Sequence, residues 1–388
     1  MSAVHLPDYT GGSIVNLMQS IATACGSSKR QYAPLAALSA TQLARARHIV
    51  LLVIDGLGQR TLARHTASPH LRRHLLGSMT SVFPSTTASA ITAFLTGLAP
   101  AQHGLTGWHM HMEEIDQTLS ILPLTPRMGP PKFLPGDLPP RLFDHGSLFQ
   151  NLDRESWVVA PRSIVDSAFN AWHSRAAQTR AYRTLPEMFA CLNELLQDQT
   201  TSRYVYAYYP DLDSLSHRYG TDSQQARQTL TAIDTLVGGL LRDLRGSNTW
   251  ILLTADHGFI DSPNRRVIQL DDHPQLAALL MRPLCGERRL AYCYVAAEAR
   301  PAFENYVRRH LARAAHLYAS HKLIAAGWFG PPPYHPRLAS RIGDYTLVMK
   351  DNWTIKDWLP GEKQFAMLGV HGGVSASEMR VPLVGMLV

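Results

Sequence analysis

Three hydroxyl residues in a row, Ser85, Thr86 and Thr87, follow Phe83-Pro84 and open a run of small residues that reaches Gly97. The pattern predicts a helix that starts at the hydroxyls and is stopped by the glycine. Free backbone N–H groups and the positive end of the macrodipole make a helix start a natural seat for an anion. One hydroxyl is enough to cap the helix, and at least one of the three is expected to do so. Another is then placed to act on whatever anion the helix start holds.

Carboxylates and imidazoles recur directly after apolar runs. "LLVI" leads into Asp55, "VYAYYP" into Asp211, Asp213 and His217, "ILLTA" into Asp256 and His257, and "FAMLGV" into His371 with two glycines behind it. Taken singly, Asp55 is a turn former, Asp213 and His217 are a surface pair at i, i+4, and His371 is a loop histidine. Asp256-His257 is stronger, because adjacent charged and imidazole groups beyond a buried strand are costly without a partner. In open α/β sheets ligands bind beyond the carboxyl ends of the strands, so the four motifs would meet on one edge. Their carboxylates and imidazoles, with no cysteine among them, can hold two divalent cations. Such a donor set favours Zn²⁺, with Mn²⁺ as the alternative. Two ions of this kind form a clamp suited to in-line displacement at phosphorus and would lower the pKa of a threonine hydroxyl bound to one of them.

The elements that must position these groups are legible as short apolar strands at 48–54, 156–160, 203–209 and 249–255. Helical patterns lie between them. In the clearest, residues 222–246, Leu230, Ile233, Val237, Leu240, Leu241 and Leu244 share one face, Asp222 or Ser223 caps the start, and Gly246 suits the stop. Alternating strands and helices predict an α/β fold with a central, mostly parallel sheet flanked by helices. Two regions break the rhythm. Residues 122–141 carry seven prolines and read as a long ordered loop or lid. Residues 263–363 hold strand-like "RLAYCYVAA" and "DYTLVMK" and a helix around "AFENYVRRHLARAAHL". They are expected to form a small α/β cap inserted into a core made of 1–262 and 364–388.

Composition narrows the partners. Of 388 residues, 45% are hydrophobic and 17% charged, a globular balance, and the net charge of +7 suits a small anionic ligand. The basic residues are scattered, so no nucleic-acid polymer is expected. No apolar run approaches the length of a membrane span, and the first residues lack the pattern of a signal peptide. Cys25, Cys191, Cys285 and Cys293 form no CxxC pair. Reduced thiols and a cytoplasmic location are the expectation.

The motifs "VIDG", "FPSTT…TGLAPAQHG", "DSLSH", "TADHG" and "GVHGG", in that order across residues 48–373, resemble the alkaline phosphatase superfamily. The similarity is greatest to its type I phosphodiesterase / nucleotide pyrophosphatase branch, with phosphonoacetate hydrolase a near cousin. The resemblance implies Thr87, four residues after Phe83, as the nucleophile, rather than Thr86. It implies one metal on Asp55, Thr87, Asp256 and His257 and a second on Asp213, His217 and His371. It implies a phosphohydrolase of phosphodiesterase / nucleotide pyrophosphatase type, working through a phospho-threonine intermediate. The related alternatives are a phosphonate hydrolase, a phosphomonoesterase or a mutase; Thr87 counts against a sulfatase. An inactive metal-dependent binder of a phosphorylated ligand is the non-enzyme alternative. One departure stands out: where the branch usually carries an Asn that holds a phosphoryl oxygen, this chain has Trp108. Its indole is either a substitute donor, a platform for a substrate ring, or core packing.

Overall fold

The computed structural model describes residues 4–362 and 364–388. Seven strands form the main sheet in the order Leu75–Thr80, Arg380–Leu387, Thr249–Thr254, His48–Ile54, Arg203–Tyr209, Glu155–Pro161, Gln178–Tyr182. From Thr249–Thr254 to Gln178–Tyr182 all neighbours are parallel, and Arg380–Leu387 runs antiparallel to both of its own. The central strand His48–Ile54 is buried at every position, which is why its sequence is apolar without alternation. Its register sets Ile54 opposite Tyr209 and Val53 opposite Thr254. The three strands therefore end almost level, and Asp55, the turn at Pro210 and Asp256 emerge on one edge of the sheet.

Helix Gln224–Asp243 follows the predicted pattern. Ser223 accepts from the Ala226 N–H at 3.2 Å, and Leu230, Ile233, Val237 and Leu240 are buried. Burial of each such side chain contributes roughly 1.5–3 kcal/mol. The helix gives way at Leu244, and Gly246 takes a left-handed φ of 81° just beyond.

A second, antiparallel sheet also has seven strands, in the order Ala315–Ala319, Tyr345–Met349, Leu290–Cys293, Cys285–Glu287, His109–Met112, Gln117–Ser120, Thr125–Pro126. Four of the strands come from the region 263–363, whose last residue, Lys363, lies outside the described residues, as do Met1–Ala3 of the expected core. The other three come from residues 109–126. The two stretches are joined where Gly286 pairs with His109. The helix expected over 302–317 is shorter than its pattern: it spans Arg300–Tyr306, continues through one wide turn at Val307–Leu311, and its tail becomes the strand Ala315–Ala319. Pairing with Tyr345–Met349 overrides helix propensity there.

The proline-rich stretch is ordered and anchored. Arg127, almost fully buried, reaches Asp357 at 2.6 Å and Glu362 at 2.9 Å, which ties residues 122–141 to the second sheet's side of the molecule. "FAMLGV" is not a strand of the main sheet. Only Gly369–Val370 is extended, and it pairs antiparallel with Ile260–Asp261, the short strand that follows Asp256-His257.

Candidate active site

The helix predicted after Phe83 spans Thr87–Thr96, with Thr86 in the cap position and Gly97 left-handed at φ 73°. None of the three hydroxyls caps it. Ser85 donates to the Gly373 carbonyl at 2.7 Å, Thr86 donates to the Glu287 carboxylate, and Thr87 Oγ1 lies 3.1 Å from His257 Nε2. The expected cap is absent because each hydroxyl has a partner from a distant segment. The first-turn N–H groups are thereby left without a side-chain acceptor, the arrangement suited to a bound anion.

Three imidazoles surround this hydroxyl, and all are held in the same tautomer. His217 Nδ1 donates to Gly369 O at 2.8 Å, His257 Nδ1 to Gly258 O at 3.1 Å, and His371 Nδ1 to Ser85 O at 3.3 Å. Each Nε2 therefore presents a lone pair. Those lone pairs face carboxylates. His257 Nε2 is 3.4 Å from Asp55 Oδ1 and 3.3 Å from Asp256 Oδ2; Asp213 Oδ1 is 3.4 Å from His217 Nε2 and 3.8 Å from His371 Nε2. The same three oxygens, Asp55 Oδ1, Asp213 Oδ1 and Asp256 Oδ2, are buried and have no hydrogen-bond partner among the described residues.

Protonated histidines would resolve the conflict, but burial opposes that. It pushes His217 down to about 4, lowers His257, and drives His371 well below the usual imidazole range, where the neighbouring His257 and His217 push it further. Burial, and then the charge of Asp256, push Asp55 and Asp213 well above the usual carboxylate range. Neutral imidazoles and crowded carboxylates aimed at each other call for a cation. The spacing agrees: two donors about 2.0 Å from a tetrahedral Zn²⁺ stand about 3.3 Å apart. The donor set thus fits the expected metals. Asp213, His217 and His371 form one candidate group; Asp55 and His257 form another that Asp213 also approaches, with Asp256 and Thr87 beside His257. Ring stacking draws the two together, His257 on His371 with centroids 3.7 Å apart and 17° between planes.

A scaffold fixes these donors. Tyr208 donates to Asp55 Oδ2, while the Gly56 and His257 N–H groups both donate to Asp256 Oδ1 at 3.0 Å. Gly258 packs so closely that a Cβ would come within 2.1 Å of Ser377 O and 2.9 Å of Gly58 Cα, so only glycine fits after His257. Behind His371, Glu378 accepts from the Gly373 N–H at 2.8 Å and from Arg289 at 3.0 and 3.1 Å.

The structure brings Asp55, Thr87, Asp213, His217, Asp256, His257 and His371 together. Asp211 begins the helix Asp211–Tyr219 and joins neither donor group. Thr87, Asp213, His217 and His371 border a cavity of about 520 Å³ whose opposite wall comes from the second sheet and its flanks, including Trp108, Arg288, Trp358 and Phe365. Trp108 is 37% exposed and is not core packing. Its backbone N–H donates to Glu287 Oε1 at 2.8 Å, the carboxylate that also holds Thr86. Burial pushes Glu287 up to about 7. Glu287 was not legible in the sequence: "CGERRL" has no motif, and the residue arrives from the second sheet some two hundred positions after Thr86.

Comparison with known proteins identifies a family for the chain. A profile of the type I phosphodiesterase / nucleotide pyrophosphatase family matches residues 49–373. An uncharacterised pyrophosphatase/phosphodiesterase of Schizosaccharomyces pombe is 26% identical over 318 residues, which cover 75% of this chain and 60% of that protein. The chain therefore spans less than two thirds of this relative. Among solved structures, human ectonucleotide pyrophosphatase / phosphodiesterase 5 superposes with a TM-score of 0.64 at 18% identity over 87% of each chain. A phosphonoacetate hydrolase from Sinorhizobium meliloti, solved with phosphonoacetate, superposes with a TM-score of 0.64 at 17% identity, covering 88% of this chain and 90% of that one. These likenesses show the fold.

Proposed function

This chain belongs to the type I phosphodiesterase / nucleotide pyrophosphatase family of the alkaline phosphatase superfamily, and we propose that it is a two-metal phosphohydrolase acting on small phosphodiesters, with Thr87 as nucleophile. One observation carries the reading. A threonine hydroxyl at an uncapped helix start stands 3.1 Å from an imidazole lone pair, beside buried carboxylate oxygens that lack any other partner.

Two divalent cations, held by Asp55, Thr87, Asp256 and His257 and by Asp213, His217 and His371, would lower the pKa of the Thr87 hydroxyl and neutralise charge on the phosphoryl group. The residues account for the rest. The first-turn N–H groups of Thr87–Thr96 hold phosphoryl oxygens and place phosphorus in front of Oγ1. Thr87 Oγ1 gives up its proton to solvent and attacks in line, the P–O bond to the leaving group breaks on the far side, the departing oxygen takes a proton from solvent, and the phosphoryl group is carried on Thr87. Water then attacks phosphorus from the vacated side and releases the threonine oxygen. Asp55 and Asp256, fixed by Tyr208 and by two backbone N–H groups, keep this geometry rigid.

A second reading is phosphonate hydrolysis, which the likeness to a phosphonoacetate hydrolase supports. Trp108 stands where phosphodiesterases and phosphonoacetate hydrolases of the branch alike usually carry Asn, so the contact to phosphoryl oxygen differs here under either reading. The four buried free thiols support the expectation of a reducing, cytoplasmic setting.

The test is a panel of bis-p-nitrophenyl phosphate, p-nitrophenyl phosphate and phosphonoacetate with metal-loaded protein. Diester hydrolysis that a chelator abolishes and Zn²⁺ or Mn²⁺ restores is expected. Preferential release of phosphate from phosphonoacetate would select the second reading. Tight binding of two ions with no turnover on a broad phosphoester panel would make the protein a binder.

A further inference from the structure

We propose, on the basis of the phosphohydrolase reading above, that Arg288 is a binding subsite for a second oxyanion of the substrate. The substrate class is then a phosphoryl or phosphonyl compound that carries another phosphate or a carboxylate beyond the reacting phosphorus.

Arg288 lies in the tight turn between the strands Cys285–Glu287 and Leu290–Cys293, and its carbonyl accepts from the Ile355 N–H at 2.9 Å. The backbone is thus fixed on both sides of the residue. The side chain is half-buried and borders the same cavity as Thr87, His217 and His371. Two aromatic rings flank the guanidinium, Trp358 with its centroid 5.2 Å away and Phe365 at 5.3 Å. Stacked aromatic faces orient a guanidinium but do not neutralise it.

Other cations of the cavity wall are neutralised. Arg127 pairs with Asp357 and Glu362, and Lys356 pairs with Glu362 at 3.0 Å. Glu287, next to Arg288 in the chain, directs Oε1 to Thr86 and to the Trp108 N–H. Among the described residues no carboxylate lies within 4.0 Å of Arg288, and its one acceptor is the Phe365 carbonyl at 3.5 Å. A guanidinium offers five N–H donors in a planar fork. Most of these are unspent, in a setting where burial pushes the group down to about 10. Desolvating a cation is costly. Glu362 and Glu287 offset part of that cost from a distance, but among the described residues no carboxylate bonds the fork, and a ligand oxyanion is the partner it fits. Phosphate and carboxylate share the required chemistry.

Two matched pairs of ligands separate these sources. Methylphosphonate and phosphonoacetate differ by a carboxylate; adenosine monophosphate and diphosphate differ by a phosphate. Binding is measured by calorimetry to metal-loaded Thr87→Ala protein, with and without Arg288→Ala or Arg288→Gln. With Arg288 present, the more highly charged member of at least one pair is expected to bind about 10- to 100-fold more tightly, as befits a charge-assisted hydrogen bond. Both substitutions should erase that preference, and Arg288→Lys should keep part of it. Measurable binding of the less charged member shows that the variants retain a folded site. A preference that survives Arg288→Gln, or no preference in either pair, overturns the proposal. If the wild-type protein hydrolyses no phosphoester yet the Arg288-dependent preference holds, the hydrolase reading fails and the subsite stands.

Discussion

Thr87 Oγ1 stands 3.1 Å from His257 Nε2, and the other nitrogen of that ring donates to Gly258 O. The hydroxyl therefore meets a lone pair, not a proton. Ser85 and Thr86, its neighbours, are committed to Gly373 and Glu287, so of the three hydroxyls only that of Thr87 faces the donor cluster.

Removal of that oxygen should abolish turnover while leaving most of the cation site. Thr87→Ala is expected to lower kcat by at least about 10³-fold, the scale of nucleophile deletions, and still to bind metal by elemental analysis. Thr87→Ser should retain far more activity. Wild-type rates in Thr87→Ala would assign the attack to another group.

Tyr208 does not line the cavity beside Thr87. It acts through Asp55, to which it donates. Tyr208→Phe should weaken metal affinity about 10- to 100-fold while leaving kcat near the wild-type value at saturating metal. A kcat deficit that excess metal does not repair would give the hydroxyl a different role.

Stability should depend on pH differently with and without metal. Neutral histidines such as His217, held at about 4, lose their proton on folding. Their stability is present above about pH 6.5 and is lost as pH falls toward 4. Asp55 and Asp213 have raised pKa values in the folded protein. Their contribution is complete below the ordinary carboxylate pKa of 3.8 and is lost as pH rises through the folded values. Chelator-treated protein should therefore lose stability toward the acid side, where the histidines protonate, and toward the alkaline side, as pH rises through the folded carboxylate values. Zn²⁺ should remove that alkaline decline, since it favours the ionised carboxylates. Scanning calorimetry across pH, with chelator and with metal, checks both limbs.

Glu378 and Arg289 form a buried bidentate pair behind the His371 turn, with Gly373 and Ser375 on the same carboxylate. Burial alone would raise the Glu378 pKa, but the Arg289 charge together with hydrogen bonds from Arg289, Ser375 and the Gly373 N–H holds it below the usual carboxylate range. Glu378→Ala leaves Arg289 buried and uncompensated, so a loss of about 3–5 kcal/mol is expected by urea denaturation. The Gly373 N–H loses its acceptor, and activity should fall with it. An unchanged midpoint would mean that the pair is not needed to hold the turn.

The donors at strand ends were legible because strand and ligand are adjacent in sequence. Asp55 and Asp256 follow parallel strands that stop level, and Asp213 and His217 occupy one face of the next helix. His371 was legible from "GVHGG" but not as the end of a main-sheet strand, because its two-residue strand exists only through pairing with Ile260–Asp261. Tyr208 sat unnoticed inside an apolar run, since burial explains a tyrosine ring without revealing where its hydroxyl points. Glu287, Arg288 and the union of residues 109–126 with 285–349 in one sheet depend on pairing between segments far apart in the chain. No local period carries that information, nor did it disclose that all three hydroxyls would forsake the helix cap for distant partners.

Anomalous diffraction from crystals grown with Zn²⁺ would reveal the pair of cations proposed beside Thr87. Two peaks are predicted, one bounded by Asp55, Asp256, His257 and Thr87 and the other by Asp213, His217 and His371. Fully occupied crystals that show a single peak, or peaks away from these side chains, would contradict it.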